Sequence, residues 1–338
     1  MHPVDPIPPP LSAWQTNLAF DRAEPLPQVT NPVWLAVTED ERRFVLKELP
    51  EFPPGVGPVD EFRVLSHLAT SMVRVALPVI TDDARIWTTV GDRKYMLLPW
   101  IEHENRNHEP GVDAAVAARS IGHALGRMDA ALAACPWQPP SFVDDPARQV
   151  LGETLPQLPE LRELIAPLKE RLWSATHDLP SQLTHGDCNT GNVLVRGSEV
   201  VAFLDFDHLP VGPRVRDLSY YLASRLRRHL AGAVTAERSV HAWMAVLSDY
   251  IAGYHAAHPL SAQEIDAIVP LILVIEIGHT AWCVQGWVPD PAGYHHGIRV
   301  LSWLTTHLDD VIAAAKRTAL SPPGRRADDA GRGASAGD

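Results

Sequence analysis

Apolar positions along the chain repeat with two different periods. Runs rich in β-branched and aromatic residues at 33–37 and 43–49, joined by the charged turn 38–42, predict a β-hairpin. Residues 86–90 and 94–98 around Gly91-Asp92-Arg93 predict a second. Between them Phe62, Leu65 and Leu68 have helical spacing within 59–68. Ala117, Ile121, Leu125, Met128 and Leu132 then recur every three to four residues through the alanine-rich stretch 112–134. Leu161, Leu164, Ile165, Leu168 and Leu172 mark one side of a helix expected over 158–175 despite Pro167. A third hairpin is expected where 192–196 and 200–205 flank Gly197-Ser198-Glu199, and helical patterns continue over 240–256, 261–285 and 298–317.

This order predicts an α+β chain with two lobes: a small antiparallel-sheet N-lobe with one helix over 11–98, and a larger, mainly helical C-lobe over 99–318, with a hinge near 97–102. Residues 1–10 hold five prolines and read as an extended tail leading to Leu11 and Trp14, which have a body to pack against. From 319 to 338 the chain is expected to be a disordered tail, rich in Pro, Gly, Ala and charge without periodicity.

The length of 338 residues suits two lobes sharing a cleft. With 29 basic and 41 acidic residues, the formal net charge of 29 − 41 = −12 argues against a nucleic-acid partner and is compatible with a cationic one. Cys135, Cys188 and Cys283 are far apart and odd in number, so neither a disulfide framework nor a zinc site is indicated, and a reducing cytoplasm fits. No targeting segment is visible. The longest apolar run, 268–275, is too short to span a bilayer, so no membrane partner is expected.

The third hairpin carries the chemistry. Asn192 starts its first strand and Asp205 ends its second, so the two should be neighbours at the open end, with Asp187 entering from the preceding loop. Two carboxylates and an amide on short backbone leashes are what metal-assisted phosphoryl transfer needs: one carboxylate orients the acceptor hydroxyl, while the other and the amide offer hard oxygens to Mg²⁺.

The spacing His185-x-Asp187-x-x-x-x-Asn192, then Asp205-Phe206-Asp207 beginning 13 residues later, resembles the aminoglycoside phosphotransferase family, small-molecule relatives of the protein kinases that include homoserine and choline kinases. The resemblance implies a two-lobed protein-kinase-like fold using ATP or GTP with Mg²⁺. It makes Asp187 the catalytic carboxylate, Asn192 and Asp205 metal ligands, and Asp207 a further metal contact. Lys47 would cradle the nucleotide phosphates, held by Glu61. Leu97, Leu98, Trp100 and Ile101 would form the base site at the hinge. His185 would anchor the loop by hydrogen bonds, and Asp217 would brace it from below. Two departures stand out. No glycine lies in 29–33, where kinases have a glycine-rich turn, leaving Thr30 and Asn31 as candidate phosphate donors next to Pro32. Asp129 stands where the family often has a histidine.

Only 11 residues separate Asp205 from Asp217, too few for a protein-kinase activation segment, so a small-molecule acceptor is favoured. The family builds its acceptor site from the last helices. There Glu276, His279, Trp282, Gln285, Trp287, Asp290 and Tyr294 concentrate polar and aromatic groups. The expected function is antibiotic phosphorylation, with a metabolic kinase for homoserine, choline, methylthioribose or a similar alcohol as the alternative. A different class is a non-catalytic pseudokinase, against which the retention of Lys47, Glu61, Asp187, Asn192 and Asp205 argues.

Overall fold

Alternation along two strands decides which side chains face the cleft. In the computed structural model, which describes residues 10–26, 31–50, 57–104, 114–137, 143–231, 236–285 and 292–319, strands β1 (Phe20–Pro25), β2 (Val33–Thr38) and β3 (Arg43–Glu48) are followed by helix α1 (Pro58–Thr70) and strands β4 (Thr88–Val90) and β5 (Arg93–Pro99). The five strands form one antiparallel sheet in the order β1-β2-β3-β5-β4. Lys47 pairs with Met96 and Leu46 with Leu97. Because successive side chains point to opposite faces, Lys47, Met96 and Leu98 lie on one face while Leu46 and Leu97 lie on the other. The second face, which also carries Trp34, Phe44 and Tyr95, packs under Trp14 and Leu18. Trp14 also donates its indole N–H to the Val79 carbonyl at 2.8 Å, fastening the N-terminal segment over the sheet.

Strand β1 has no counterpart in the hydrophobic pattern. It is an edge strand, Phe-Asp-Arg-Ala-Glu-Pro, with only Phe20 and Ala23 half-buried, so most of its side chains face water.

The C-terminal part contains α2 (Ala114–Ala133), α3 (Pro159–Ile165), α4 (Lys169–Thr176), β6 (Ser181–Leu183), β7 (Val193–Arg196), β8 (Glu199–Phe203), β9 (Val211–Pro213), α5 (Val215–His229), α6 (Ala236–Ala257), α7 (Ala262–Gln285) and α8 (Gly293–Ala319). The single helix expected over 158–175 is therefore two, separated by a tight turn at Ala166–Leu168. Pro167, lacking an N–H and clashing with the preceding turn, accounts for the break. Strands β7 and β8 form the expected hairpin, with Gly197 at φ 60° in its turn. A second short pair, β6 with β9, brackets it. Helix α7 is long and apolar enough to cross a membrane, but 78% of its most apolar stretch is buried inside the protein, as in a core helix.

Helices α2 and α6 cross at glycines. A Cβ on Gly253 would stand 2.0 Å from the Arg119 carbonyl oxygen, and one on Gly122 would stand 2.0 Å from that of Tyr250. No side chain fits there. The close crossing sets the depth at which Tyr254 of α6 meets Asp129 of α2, with its hydroxyl 2.6 Å from Oδ2. Alanine at 253 raises helix propensity by about 1 kcal/mol but must push the helices apart, so Gly253→Ala is expected to destabilise the protein by about 2–4 kcal/mol. Thermal unfolding checks this; an unchanged or raised Tm would contradict the close crossing.

Candidate active site

The loop 184–192 hangs between β6 and β7, and its shape is imposed by a buried carboxylate. Asp217, in the first turn of α5 and 0% exposed, accepts the backbone N–H of His185 at 2.7 Å and that of Gly186 at 3.0 Å. The pairing of β6 with β9, which runs straight into α5, brings Asp217 under the loop. Gly186 has φ 86°, and a Cβ on it would meet Pro210 Cδ at 2.5 Å, so only glycine can occupy the bend. The His185 ring is buried over Phe206, 4.4 Å between centroids. Its Nε2–H donates to the Leu204 carbonyl at 2.7 Å and its Nδ1 accepts the Asp187 N–H at 3.2 Å. Both ring nitrogens are thus occupied in holding backbone, which leaves the imidazole no free nitrogen for proton transfer.

Asp187 projects from this loop with its carboxylate fixed on several sides. Asn189 Nδ2 donates to both of its oxygens at 3.1 Å, and Asn192 Nδ2 donates to Oδ2 at 2.9 Å and to the Asp187 carbonyl at 2.9 Å. With its amide nitrogen so engaged, Asn192 has Oδ1 available as a ligand. Tyr220 of α5 lies beside Asp187; burial and then the Asp187 charge push its phenol well above the usual tyrosine range. Arg216 stacks over the Tyr220 ring at 5.3 Å, pairs with Asp144 and donates to the Gly186 carbonyl. Asn189, Arg216 and Tyr220 were not singled out in the sequence. Asn189 lies two residues after Asp187, and Tyr220 follows Asp217 by one helical turn, which is the signal that could have found them.

A cavity of about 560 Å³ joins the sheet to the loop. Val33, Val45, Ala76, Leu98, Leu194 and Leu204 give it an apolar lining, and Lys47, Asp187, Asn192 and Asp205 bring polar groups into the same cavity. Trp100, Ile101 and Asn31 also line it. Leu97 does not. Its side chain is 0% exposed on the opposite face of the sheet and its carbonyl accepts the Val79 N–H at 2.8 Å, as the two-residue strand period requires. Thr30 lies outside the described residues.

Lys47 is the cationic centre of the cleft, with Nζ 2.6 Å from Asp205 Oδ1 and 3.3 Å from Asp207 Oδ2. Burial alone would lower the Lys47 pKa, but Asp205, Asp207 and Glu61 together raise it above the ordinary value. Burial would likewise raise Asp207, yet Lys47 and then His208 hold it below the usual carboxylate range. Asp205 adopts φ 61°, a left-handed conformation that Asp tolerates better than most side chains. Glu61 departs from expectation. It shares a small cavity with Lys47 and Asp205, but among the described residues no ion pair joins it to the lysine, whose partners are the two aspartates. Burial pushes the Glu61 carboxyl up to about 7, with Lys47 pulling the other way. With Asp205 and Asp207 this close, the lysine turns toward them.

Among the described residues no group of three or more His, Cys, Asp and Glu could hold a metal ion. The donor set available is instead one amide oxygen, Asn192 Oδ1, with the carboxylates of Asp205 and Asp207. These are hard oxygens that suit Mg²⁺ when nucleotide phosphates complete the shell.

The residues expected to form an acceptor site are not gathered into this cavity. Glu276 is buried and paired with Arg227 of α5; burial pushes its carboxyl up to about 7 against the pull of Arg227. His279 and Trp282 stand half-buried with rings 6.3 Å apart. Gln285 is exposed, Tyr294 donates to Glu160 of α3, and Trp287 and Asp290 lie outside the described residues.

A model of the phosphotransferase enzyme family matches residues 22–264. A serine/threonine protein kinase, RdoA, of Salmonella typhimurium is 26% identical over 284 residues, spanning 79% of this chain and 78% of that protein. A homoserine kinase of Neisseria meningitidis is 26% identical over 239 residues, spanning 68% and 70%. Among solved structures, that of the amicoumacin kinase hAmiN with AMP-PNP, Ca²⁺ and Ami has a TM-score of 0.64 at 16% identity, covering 87% of this chain and 90% of that one, a likeness of fold.

Asp217 presents an anionic acceptor to two buried N–H groups. Asp217→Asn is expected to cost about 3 kcal/mol, because one N–H then faces an amide group and loses a charge-assisted bond. Urea unfolding measures it; a loss below about 0.5 kcal/mol would show that the loop does not depend on this carboxylate.

Proposed function

The chain belongs to the phosphotransferase enzyme family and is a kinase-type phosphotransferase, and from that premise we propose that it transfers the γ-phosphoryl group of ATP or GTP to a hydroxyl of a small molecule. The observation that carries this reading is the convergence of Lys47, Asp187, Asn192 and Asp205 on one cavity that also has an apolar lining. A nucleobase would pack against that lining, between the sheet and Leu194 and Leu204, with backbone at Leu98–Ile101 along its edge. Lys47 would bind the phosphates. Asn192 and Asp205, with Asp207 behind, would hold Mg²⁺, which neutralises phosphate charge when bound. Asp187 would accept a hydrogen bond from the acceptor hydroxyl, orient its oxygen toward the γ-phosphorus and take up its proton as the new P–O bond forms and the bond from the γ-phosphorus to the β–γ bridging oxygen breaks, releasing ADP or GDP.

The acceptor is proposed to be an antibiotic of low positive charge. A polycation would need uncompensated acidic groups, whereas Glu276 already carries Arg227 as its counter-ion and Arg216 stands beside Tyr220. The half-buried pair His279 and Trp282 suits a ring-bearing, weakly charged acceptor. Two other readings each have a specific observation behind them: a metabolic alcohol, from the homoserine kinase similarity, and a protein hydroxyl, from the similarity to a relative named a protein kinase. The short connection from Asp205 to Asp217 favours a small acceptor over the last.

Incubation with MgATP and with MgGTP against a panel of antibiotics and small alcohols, read by mass spectrometry, is expected to yield one phosphorylated class. Phosphorylation of homoserine alone would support the metabolic reading, and incorporation into protein the third. Asp187→Asn is expected to lower kcat by about 10²–10⁴-fold while leaving nucleotide affinity nearly unchanged. Full turnover in that variant would remove Asp187 from the mechanism.

A further inference from the structure

Asp129 is a completely buried carboxyl group with an incomplete set of partners. It lies on α2, 0% exposed, and its Oδ2 accepts the Tyr254 hydroxyl at 2.6 Å. Its Oδ1 is buried and no donor reaches it. Facing it within side-chain hydrogen-bonding reach is Asp217, whose two oxygens hold the His185 and Gly186 N–H groups. Two buried carboxyl groups in contact do not both ionise. Asp217, with two backbone N–H donors, is the one whose charge is supported. The groups around Asp129 supply no comparable support. Tyr254 of α6 gives one hydrogen bond. Arg214, ahead of α5, spends its guanidinium on Glu264, His258 and the Pro259 carbonyl. On the loop side stands the buried Cys188 thiol, held un-ionised by burial and by the Asp217 charge. Gln182 of β6 is neutral, donates to the backbone carbonyl of Asp129 rather than to its carboxyl group, and meets His258 with its side-chain oxygen, and His67 of α1 reaches α2 at the Ala131 carbonyl.

We propose that Asp129 is a positioning residue for the loop that carries Asp187, acting as an un-ionised carboxylic acid whose Oδ1–H donates to the Asp217 carboxylate. A donor at this point adds a third hydrogen bond to the Asp217 carboxylate without adding a cation. The hydroxyl of Tyr254, the acid of Asp129, the carboxylate of Asp217 and the backbone of His185 and Gly186 then form one directed hydrogen-bond chain. Burial pushes the Asp129 carboxyl well above its ordinary range, with Asp217 next in effect, in keeping with that protonation.

Asp129→Asn tests this, because its amide replaces the acid with a donor for Asp217 and an acceptor for Tyr254 that cannot titrate. In the wild type the folded chain keeps a proton that the unfolded chain, with an ordinary aspartate near 4, releases. Stability is therefore complete below that value and is lost as pH rises toward the folded pKa. Urea unfolding of the full chain between about pH 5 and 7 should show the wild-type folding constant falling about tenfold per pH unit more steeply than that of the variant. Parallel pH dependences would mean that Asp129 is ionised when folded and would overturn the proposal. At neutral pH the kcat of Asp129→Asn should stay within about threefold of wild type, since the donor is all that the position supplies; a tenfold fall would also overturn it. Asp129→Ala, which has no donor, should lose kcat tenfold or more with nucleotide KM unchanged, whereas equal kcat would contradict positioning. If that variant does not fold, the asparagine comparison decides alone. The kcat measurements rest on the phosphotransferase reading and the proton uptake does not, so failure of the one is distinguishable from failure of the other.

Discussion

The cleft depends on a carboxylate that never reaches it. Asp217 sits at the start of α5, where its oxygens accept the backbone N–H groups of His185 and Gly186, and the loop that carries Asp187 is positioned from that anchor. Once the bend at Gly186 is fixed, the Asp187 N–H meets His185 Nδ1, and Nε2–H of the same ring reaches Leu204, the residue before Asp205. One imidazole thus ties the loop to the end of the hairpin. A buried anion costs desolvation, and here two backbone donors offset it, which makes the anchor specific as well as strong.

The second constraint is electrostatic. Lys47 comes from the sheet, while Asp205 and Asp207 come from the end of the β7–β8 hairpin, so their contacts join the two halves of the molecule across the cavity. In a cleft partly removed from water this attraction is far stronger than the same pair at the surface. The phosphates of a nucleotide and a divalent cation offer Lys47 and Asp205 replacement partners of the right sign. Ligand binding would then exchange an internal ion pair for two external ones rather than expose bare charges. Glu61, close but unpaired, is the group best situated to take the lysine when the aspartates turn to a metal.

Much of this was readable before any coordinates, and what was not has physical causes. Hairpins and long helices announce themselves because one face of each is buried, so periodicity located β2, β3, β5 and the β7–β8 pair. Spacing alone brought Asn192 and Asp205 to one end of a hairpin. Strand β1 was silent because an edge strand buries little, and Pro167 split a helix whose apolar face continued across the break. Leu97 faces away from the cavity because it is one residue out of step in a two-residue period. The acceptor region was hardest: Glu276 has the composition of a site residue, but its partner Arg227 lies 49 positions earlier in the chain, and a contact that distant leaves no local pattern. For Tyr220 and Asn189 the only signal in the sequence is their spacing from Asp217 and Asp187.

Whether the cleft cleaves a nucleotide is the most direct test of its chemistry. Phosphorus NMR of the protein with ATP, with and without Mg²⁺, follows the γ-phosphate in the absence of any assumed acceptor. Slow Mg²⁺-dependent conversion of ATP to ADP and phosphate, with water standing in for the acceptor hydroxyl, is the predicted result. Binding of ATP with no ADP formed, in the presence or absence of the metal and across candidate acceptors, would contradict it and leave a cleft that binds nucleotide without transferring its phosphoryl group.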